Sequence, residues 1–244
     1  MLNVLSMCRR YTSMRFVFSF LVLTTLVACS SSTSKPLPSD EGSILKGKSF
    51  TYSRYKELPD FPVSTAANFR SGILDIASAV TSGNKMLKNA AIEDPAVTIA
   101  KSLSARIEKR FGMHLQANDS LYIRSKKTNN VIKKYNDVDY VLDVRTLNWS
   151  ASYIPNDWDN YRVTYSVQAR LINVDTGLVV SEEVCTHTPD YADSNQAPTY
   201  QALEHGTALS DEIDKSVAFC VDHISKLALF HAQQNKSELL KTLQ

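Results

Sequence analysis

The sequence predicts an α+β fold: a mainly antiparallel sheet with helices packed on one of its faces, closed by a long C-terminal helix. Three observations carry this. From Tyr161 to Leu171 the chain alternates without a break, with Tyr161, Val163, Tyr165, Val167, Ala169 and Leu171 pointing one way and Arg162, Thr164, Ser166, Gln168 and Arg170 the other. A period of two, apolar on one side and polar on the other, is the pattern of a half-buried strand in an antiparallel sheet. Asp175-Thr176-Gly177 then reads as a turn, and Leu178 to Cys185 as the returning hairpin partner. Near the C-terminus Leu209, Ile213, Val217, Cys220, Ile224, Leu227 and His231 recur three or four residues apart, a helical stripe that must face the sheet.

The remaining elements follow in chain order. Lys48 to Lys56 reads as a strand, with Phe50, Tyr52 and Arg54 alternating against Thr51, Ser53 and Tyr55, and with Pro59 and Pro62 beyond its end. Phe69, Ile73, Ile76 and Val80 have helical spacing, and Gly83 is the expected stop. A second helix opens at Asp94-Pro95, an N-cap followed by proline at the first helical position, where its missing N–H is no loss. Its face is Ala96, Ala100, Leu103, Ile107 and Phe111, and Gly112 closes it. Asp139 to Ser150 is a third strand, joined to the central one through a connection from Tyr153 to Asn160. The long helix follows Pro198.

Ahead of these elements lies a different kind of sequence. Arg9, Arg10 and Arg15 form a basic start, and Phe16 to Ala28 is an apolar run of 13 residues broken only by Ser19, Thr24 and Thr25. A membrane-spanning helix needs about 20 residues, so the run fits the core of a secretory signal. Met14-Arg15 and the run form a complete short signal by themselves. Residues 1–28 are the expected signal peptide, 29–43 an anchor and tether, and 44–244 a single domain. Ser30 to Ser43 is rich in Ser and Pro with few apolar residues, the composition of a flexible tether.

Leu26-Val27-Ala28-Cys29 resembles the lipobox of bacterial lipoproteins. That resemblance implies that Cys29 takes a diacylglyceryl thioether after cleavage before it, and that its new amine is acylated as well. Two or more acyl chains anchor a protein stably where one does not. In lipoproteins of this kind an Asp after the cysteine often holds the protein at the inner membrane. Ser30 therefore implies the outer membrane, facing the periplasm. The stretch "DVDYVLDVRTLNWS…YRVTYSVQARLINVDTGLVV" resembles a periplasmic fold found in the curli-secretion channel lipoprotein and in lipoproteins that activate penicillin-binding proteins. The chain departs from both: its tether is too short to reach an inner-membrane synthase, and it has no paired amphipathic hairpins to build a channel barrel.

Charge narrows the partners. The chain has 27 basic and 25 acidic residues, and three of the basic ones lie in 1–28, leaving 24 against 25, or −1. A near-neutral domain has no footprint for nucleic acid. Lys126, Lys127, Lys133 and Lys134 read as a solvated basic face. No phosphate-cradling glycine loop, nucleophile elbow or H-E-x-x-H motif is present, so no catalytic residue, cofactor or metal ligand is assigned.

Cys185, His187, Cys220 and His223 form C-x-H…C-x-x-H. Zinc takes such ligands tetrahedrally, but the spacing matches no common zinc module. In an oxidising compartment a Cys185–Cys220 disulfide is the expected pairing, with free buried thiols and a metal site as the alternatives. Asn156-Asp157-Trp158-Asp159-Asn160 lacks the spacing of a calcium loop and reads as a polar connection. Glu182 and Glu183 are adjacent on a strand and face opposite ways. His114 and His205 have no evident partner.

Trp158 stands outside the strand alternation, between Asp157 and Asp159. With Tyr153 these residues form the expected partner-binding surface, a large aromatic at a loop tip being a common binding anchor. The sequence thus predicts a lipid-anchored, non-enzymatic binding or assembly module of the cell envelope. It would be held to the membrane by Cys29 and engage an envelope protein or the cell wall. The alternatives are a periplasmic enzyme acting near the wall, and a subunit of a secretion or pilus assembly.

Overall fold

The computed structural model describes residues 34–38, 40–67, 74–116 and 120–229, all within one unit of the chain. The signal segment 1–28 and Cys29 lie outside the described residues, as do Phe69, Ile73 and His231. The alternating stretches become three long antiparallel strands: β4 (Tyr140–Ile154), β5 (Asp157–Asn173) and β6 (Val179–His187). Opposite one another stand Leu142 and Leu171, Val144 and Ala169, then Val167 and Cys185. Their shared face is the main core.

A register shift between Thr146 and Asn148 changes which parity of β4 faces that core. Before it, Tyr140, Leu142 and Val144 point inward; after it, Trp149 and Ala151 do. Without this bulge the alternation would send Trp149 to the other face. Instead Trp149 is fully buried and donates its Nε1–H to the Pro59 carbonyl at 2.8 Å.

The three other strands among the described residues are short: β1 (Ser49–Tyr52), β2 (Val63–Ser64) and β3 (His114–Leu115). The sheet runs β3-β1-β4-β5-β6, with β2 also paired to β4. Each short strand pairs in parallel, so the sheet is mixed and the expectation of a mainly antiparallel one is corrected. The cause is helical crossover. After β1 the chain passes through α2 (Leu74–Asn89) and α3 (Pro95–Phe111) before returning in β3, and such a connection brings strands back in the same direction. β1 is also shorter than Lys48–Lys56; beyond Tyr52 only Tyr55 makes a bridge, to Ile123.

The caps of α3 follow the sequence. Asp94 accepts from the Ala96 N–H at 3.0 Å, and Gly112 ends the helix in the left-handed region. Gly83, by contrast, stops nothing: α2 runs through it to Asn89. A Cβ there would meet the Phe61 carbonyl oxygen at 1.6 Å, so its role is close approach. The expected C-terminal helix is divided into α5 (Tyr200–Glu204) and α6 (Thr207–Ile224), with Gly206 at φ 93° between them. A π turn over Ser225–Leu229 then shifts the inward face, burying Ala228 and Leu229 in place of Leu227.

α3 and α6 cover the main core face. The opposite face is partly covered too. There α4 (Thr128–Lys134) and its flanks close a second cluster of Ile123, Val131, Tyr135, Val138, Val141 and Ile172. A short α1 (Glu41–Ile44) precedes β1.

Part of the segment expected as a tether is seated on the sheet. The Lys35 N–H and C=O pair with Glu182 at 2.7 and 2.8 Å, extending the free edge of β6 by one antiparallel bridge. The Leu37 N–H bonds the Ala228 carbonyl at 2.7 Å, and its side chain is buried in the main core.

Candidate functional site at the hairpin tip

The residues expected as a loop from Tyr153 to Asn160 are the end of the β4–β5 hairpin. Only Pro155 and Asn156 lie between the strands, and Asn156 takes φ 69°, a conformation its short polar side chain tolerates. A second register shift sits at Tyr153/Ile154. The Tyr153 and Trp158 rings stack with centroids 5.8 Å apart and planes 22° apart. Tyr153 pairs across the strands with Tyr161, and the Tyr161 ring meets Tyr200 at 5.8 Å. An aromatic row therefore runs from the buried base of the tip to its outer end. At that end Trp158 is 51% exposed.

The two acids have different duties. Asp157 braces the tip: its carboxylate accepts from the N–H groups of Asp159 and Asn160, both at 3.3 Å, and from Asn160 Nδ2 at 2.8 Å. A hydrogen bond from the Ser194 side chain, then the one from Asn160, hold its carboxyl below the usual range. Asp159 is exposed beside Trp158. On the far side, the Tyr161 N–H bonds the Pro198 carbonyl at 2.8 Å and Asn160 bridges to Thr199, strapping the hairpin to the start of α5.

The cysteines come together elsewhere. Cys185 on β6 and Cys220 on α6 are joined, Sγ–Sγ 2.01 Å and Cα–Cα 5.6 Å, a normal span for the bond. Both sulfurs are thereby spent, so neither Cys185 nor Cys220 offers a thiolate. Beside them His187 Nδ1 lies 3.0 Å from Ser216 Oγ, the Phe219 ring lies between His187 and His223 at 4.5 and 5.9 Å, and His223 Nε2 stands 3.6 Å from Glu183. Burial pulls the His187 pKa below its usual value. Among the described residues no group of three His, Cys, Asp or Glu side chains is placed to hold a metal ion, and no helix is long and apolar enough to cross a membrane.

Sequence reasoning missed one polar constellation. Asp143 is fully buried on the face opposite the main core and pairs with Arg170 across β4 and β5. It also accepts from Ser53 Oγ at 2.7 Å and from the Tyr55 hydroxyl at 2.8 Å. Burial, then the Asp143 charge, pushes the Tyr55 hydroxyl far above its ordinary pKa. The turn at Pro155–Asn156 alone would set Asp143 opposite Gln168; the two register shifts, at Tyr153/Ile154 and Thr146/Asn148, bring Arg170 there instead, and no local motif announces them. The network ties the segment after β1 to β4 and β5.

No family model matches the sequence, and no curated protein matches it. Solved structures with some likeness include three bacterial proteins. Protein XCC0632 from Xanthomonas campestris is 11% identical, covers 84% of this chain and 97% of its own, and has a TM-score of 0.39. The PelC dodecamer from Paraburkholderia phytofirmans is 14% identical, with coverages of 81% and 94% and a TM-score of 0.34. Lipoprotein GNA1162 from Neisseria meningitidis is 13% identical, with coverages of 69% and 96% and a TM-score of 0.31. At TM-scores below 0.5 these likenesses carry no functional weight.

Proposed function

We propose that this protein is a lipid-anchored module of the cell envelope, non-enzymatic, facing the periplasm from the outer membrane, that presents the tip of its β4–β5 hairpin to an envelope partner. The supporting observation is the half-exposed Trp158, stacked on Tyr153 at the end of the longest hairpin. The other large residues of these strands are committed to the core: Trp149, Tyr161 and Tyr165 are all buried. Trp158 keeps half its surface in water, which a residue serving only to plug the tip would not do. Bracing by Asp157 and by the strap at Thr199 holds the ring in place before a partner arrives, which lowers the ordering cost of binding.

Anchoring fits the same picture. Cys29 precedes the seated Ser34 by five residues, a reach of at most about 18 Å. A lipid on Cys29 would hold the sheet edge at β6 close to the membrane, while the tip belongs to strands further into the sheet. The partner chemistry that suits the tip is an apolar slot for an indole ring with a basic rim for Asp159. Trp158→Ala tests this reading. Capture of the partner by the purified protein should fall at least about tenfold, the loss of one anchor, while the melting temperature moves by only a few degrees. Undiminished capture, or a collapse of stability, would sink it.

A further inference from the structure

The strongest unassigned feature lies on the face opposite the main core. Lys56, Ser120, Tyr122, Arg124 and Lys134 line a cleft of about 470 Å³. Two stretches far apart in sequence, at Lys56 and within 120–134, converge there, and the backbone explains how. Tyr55 and Ile123 form a parallel bridge, with the Lys56 N–H bonded to the Ile123 carbonyl at 3.0 Å and the Ile123 N–H to the Arg54 carbonyl at 2.9 Å. Side chains alternate on such a ribbon. Ile123 is buried and Tyr55 reaches inward to Asp143, which leaves Lys56, Tyr122 and Arg124 outward. Lys134 comes from the last turn of α4. The buried Tyr135 fixes that helix against the ribbon: its hydroxyl donates to the Leu121 carbonyl and accepts from the Arg54 N–H, each at 3.1 Å.

The cleft is basic and rigidly backed. Lys56, Arg124 and Lys134 form no ion pair among the described residues. Glu57, next to Lys56, lines a different hollow. The Arg54 guanidinium lies 4.9 Å from the centre of the Tyr122 ring, which helps to hold that ring in place. A cation in the last turn of a helix, such as Lys134, has a local reason to be there. Lys56 and Arg124 have none. Held on one wall, like charges repel, and a ligand of opposite sign relieves that repulsion. This contrasts with a chain whose net charge is close to zero once residues 1–28 are set aside.

We propose that this cleft binds a phosphate group, with the Arg124 guanidinium and the Lys56 and Lys134 ammonium groups as its partners. A phosphate dianion or diphosphate matches several converging cations better than a single carboxylate does. Its oxygens also suit the forked donors of arginine. The Tyr122 ring beside them offers a flat surface to whatever carries the phosphate.

The test uses the full chain with Cys29→Ala, so that no lipid of its own reports. Inorganic pyrophosphate is titrated by calorimetry, and vesicles with and without phosphatidic acid are tested by cosedimentation. Saturable pyrophosphate binding is expected, weakened about tenfold by each of Lys56→Gln, Arg124→Gln and Lys134→Gln, the loss of one charge-assisted contact. Lys133→Gln, on the same helix but outside the cleft, should leave it unchanged. Binding only to phosphatidic-acid vesicles, with the same dependence on the three cations, assigns the phosphate to a lipid headgroup. No binding to either probe, or binding indifferent to the three substitutions, overturns the proposal.

Discussion

Replacing Gly83 by alanine should destabilise the protein, although the same exchange in an ordinary helix interior gains about 1 kcal/mol. The reason is the wall opposite. A Cβ on Gly83 would lie 1.6 Å from the Phe61 carbonyl oxygen and 2.8 Å from its carbon, and both are backbone atoms that cannot swing aside. Phe61 is fully buried against the edge of Trp149, ring centroids 5.7 Å apart. The neighbouring Asn84 clamps the same stretch, accepting from the Phe61 N–H at 2.9 Å and donating to Asp60 at 2.8 Å. Relief of the clash therefore moves α2 away from Phe61 and gives up the part-buried half of that clamp, the bond from the Phe61 N–H to Asn84. Overpacking costs about 1–3 kcal/mol and the lost hydrogen bond about 1 kcal/mol. Against the helix gain, the net is about 2 kcal/mol. For a domain of this size that lowers Tm by about 4–8 °C. A thermal melt by circular dichroism measures it. A Tm unchanged or raised in Gly83→Ala would refute the close-approach reading of this glycine.

Three further outcomes follow. Reduction of Cys185–Cys220, which closes a 35-residue separation, should cost roughly 4 kcal/mol in the chain-entropy view; two free, alkylatable thiols in the non-reduced protein would contradict the bond. Cys29→Ala should move the protein from the membrane to the soluble fraction, and an unchanged membrane pellet would show another anchor. Asp139 accepts from the Ser49 N–H and hydroxyl, each at 2.8 Å, and from Lys48 at 3.0 Å, and these contacts, the backbone one foremost, hold its carboxyl below the ordinary value. A depressed carboxyl pKa stabilises above the unfolded pKa of about 3.9 and loses that contribution as pH falls through the folded value. Asp139→Asn should therefore lower Tm at neutral pH, with the gap to the parent closing below about pH 4; a gap independent of pH would contradict the charge's role.

What the sequence made legible depended on periodicity. β5 showed itself because it alternates from Tyr161 to Leu171, and α3 because both of its caps are spelled out by Asp94-Pro95 and Gly112. Strands of two residues, such as β2 and β3, have no period to read, so the parallel half of the sheet stayed hidden. Gly83 was misleading because helix stops and close approaches call for the same residue. The π turn is a shift of one residue that hydrophobic spacing cannot anticipate, and it exchanges Leu227 for Ala228 and Leu229 in the core. At the tip, the polar run around Asp157 resembled a loop, yet Asp157 and Asp159 belong to β5 and the turn is the pair before them. The basic cleft was out of reach altogether: Lys56, Arg124 and Lys134 meet only through the bridge at Tyr55–Ile123 and the packing of Tyr135.

The most direct measurement is site-specific photocrosslinking in intact cells, with a photoreactive phenylalanine analogue placed at Trp158 and, for comparison, at the exposed Ile76 on α2. A discrete adduct of one added mass from position 158, absent from position 76 and lost when Tyr153→Ala unseats the stack, is the predicted result. Crosslinking that is equal at both positions, or confined to position 76, would contradict a partner surface at the hairpin tip.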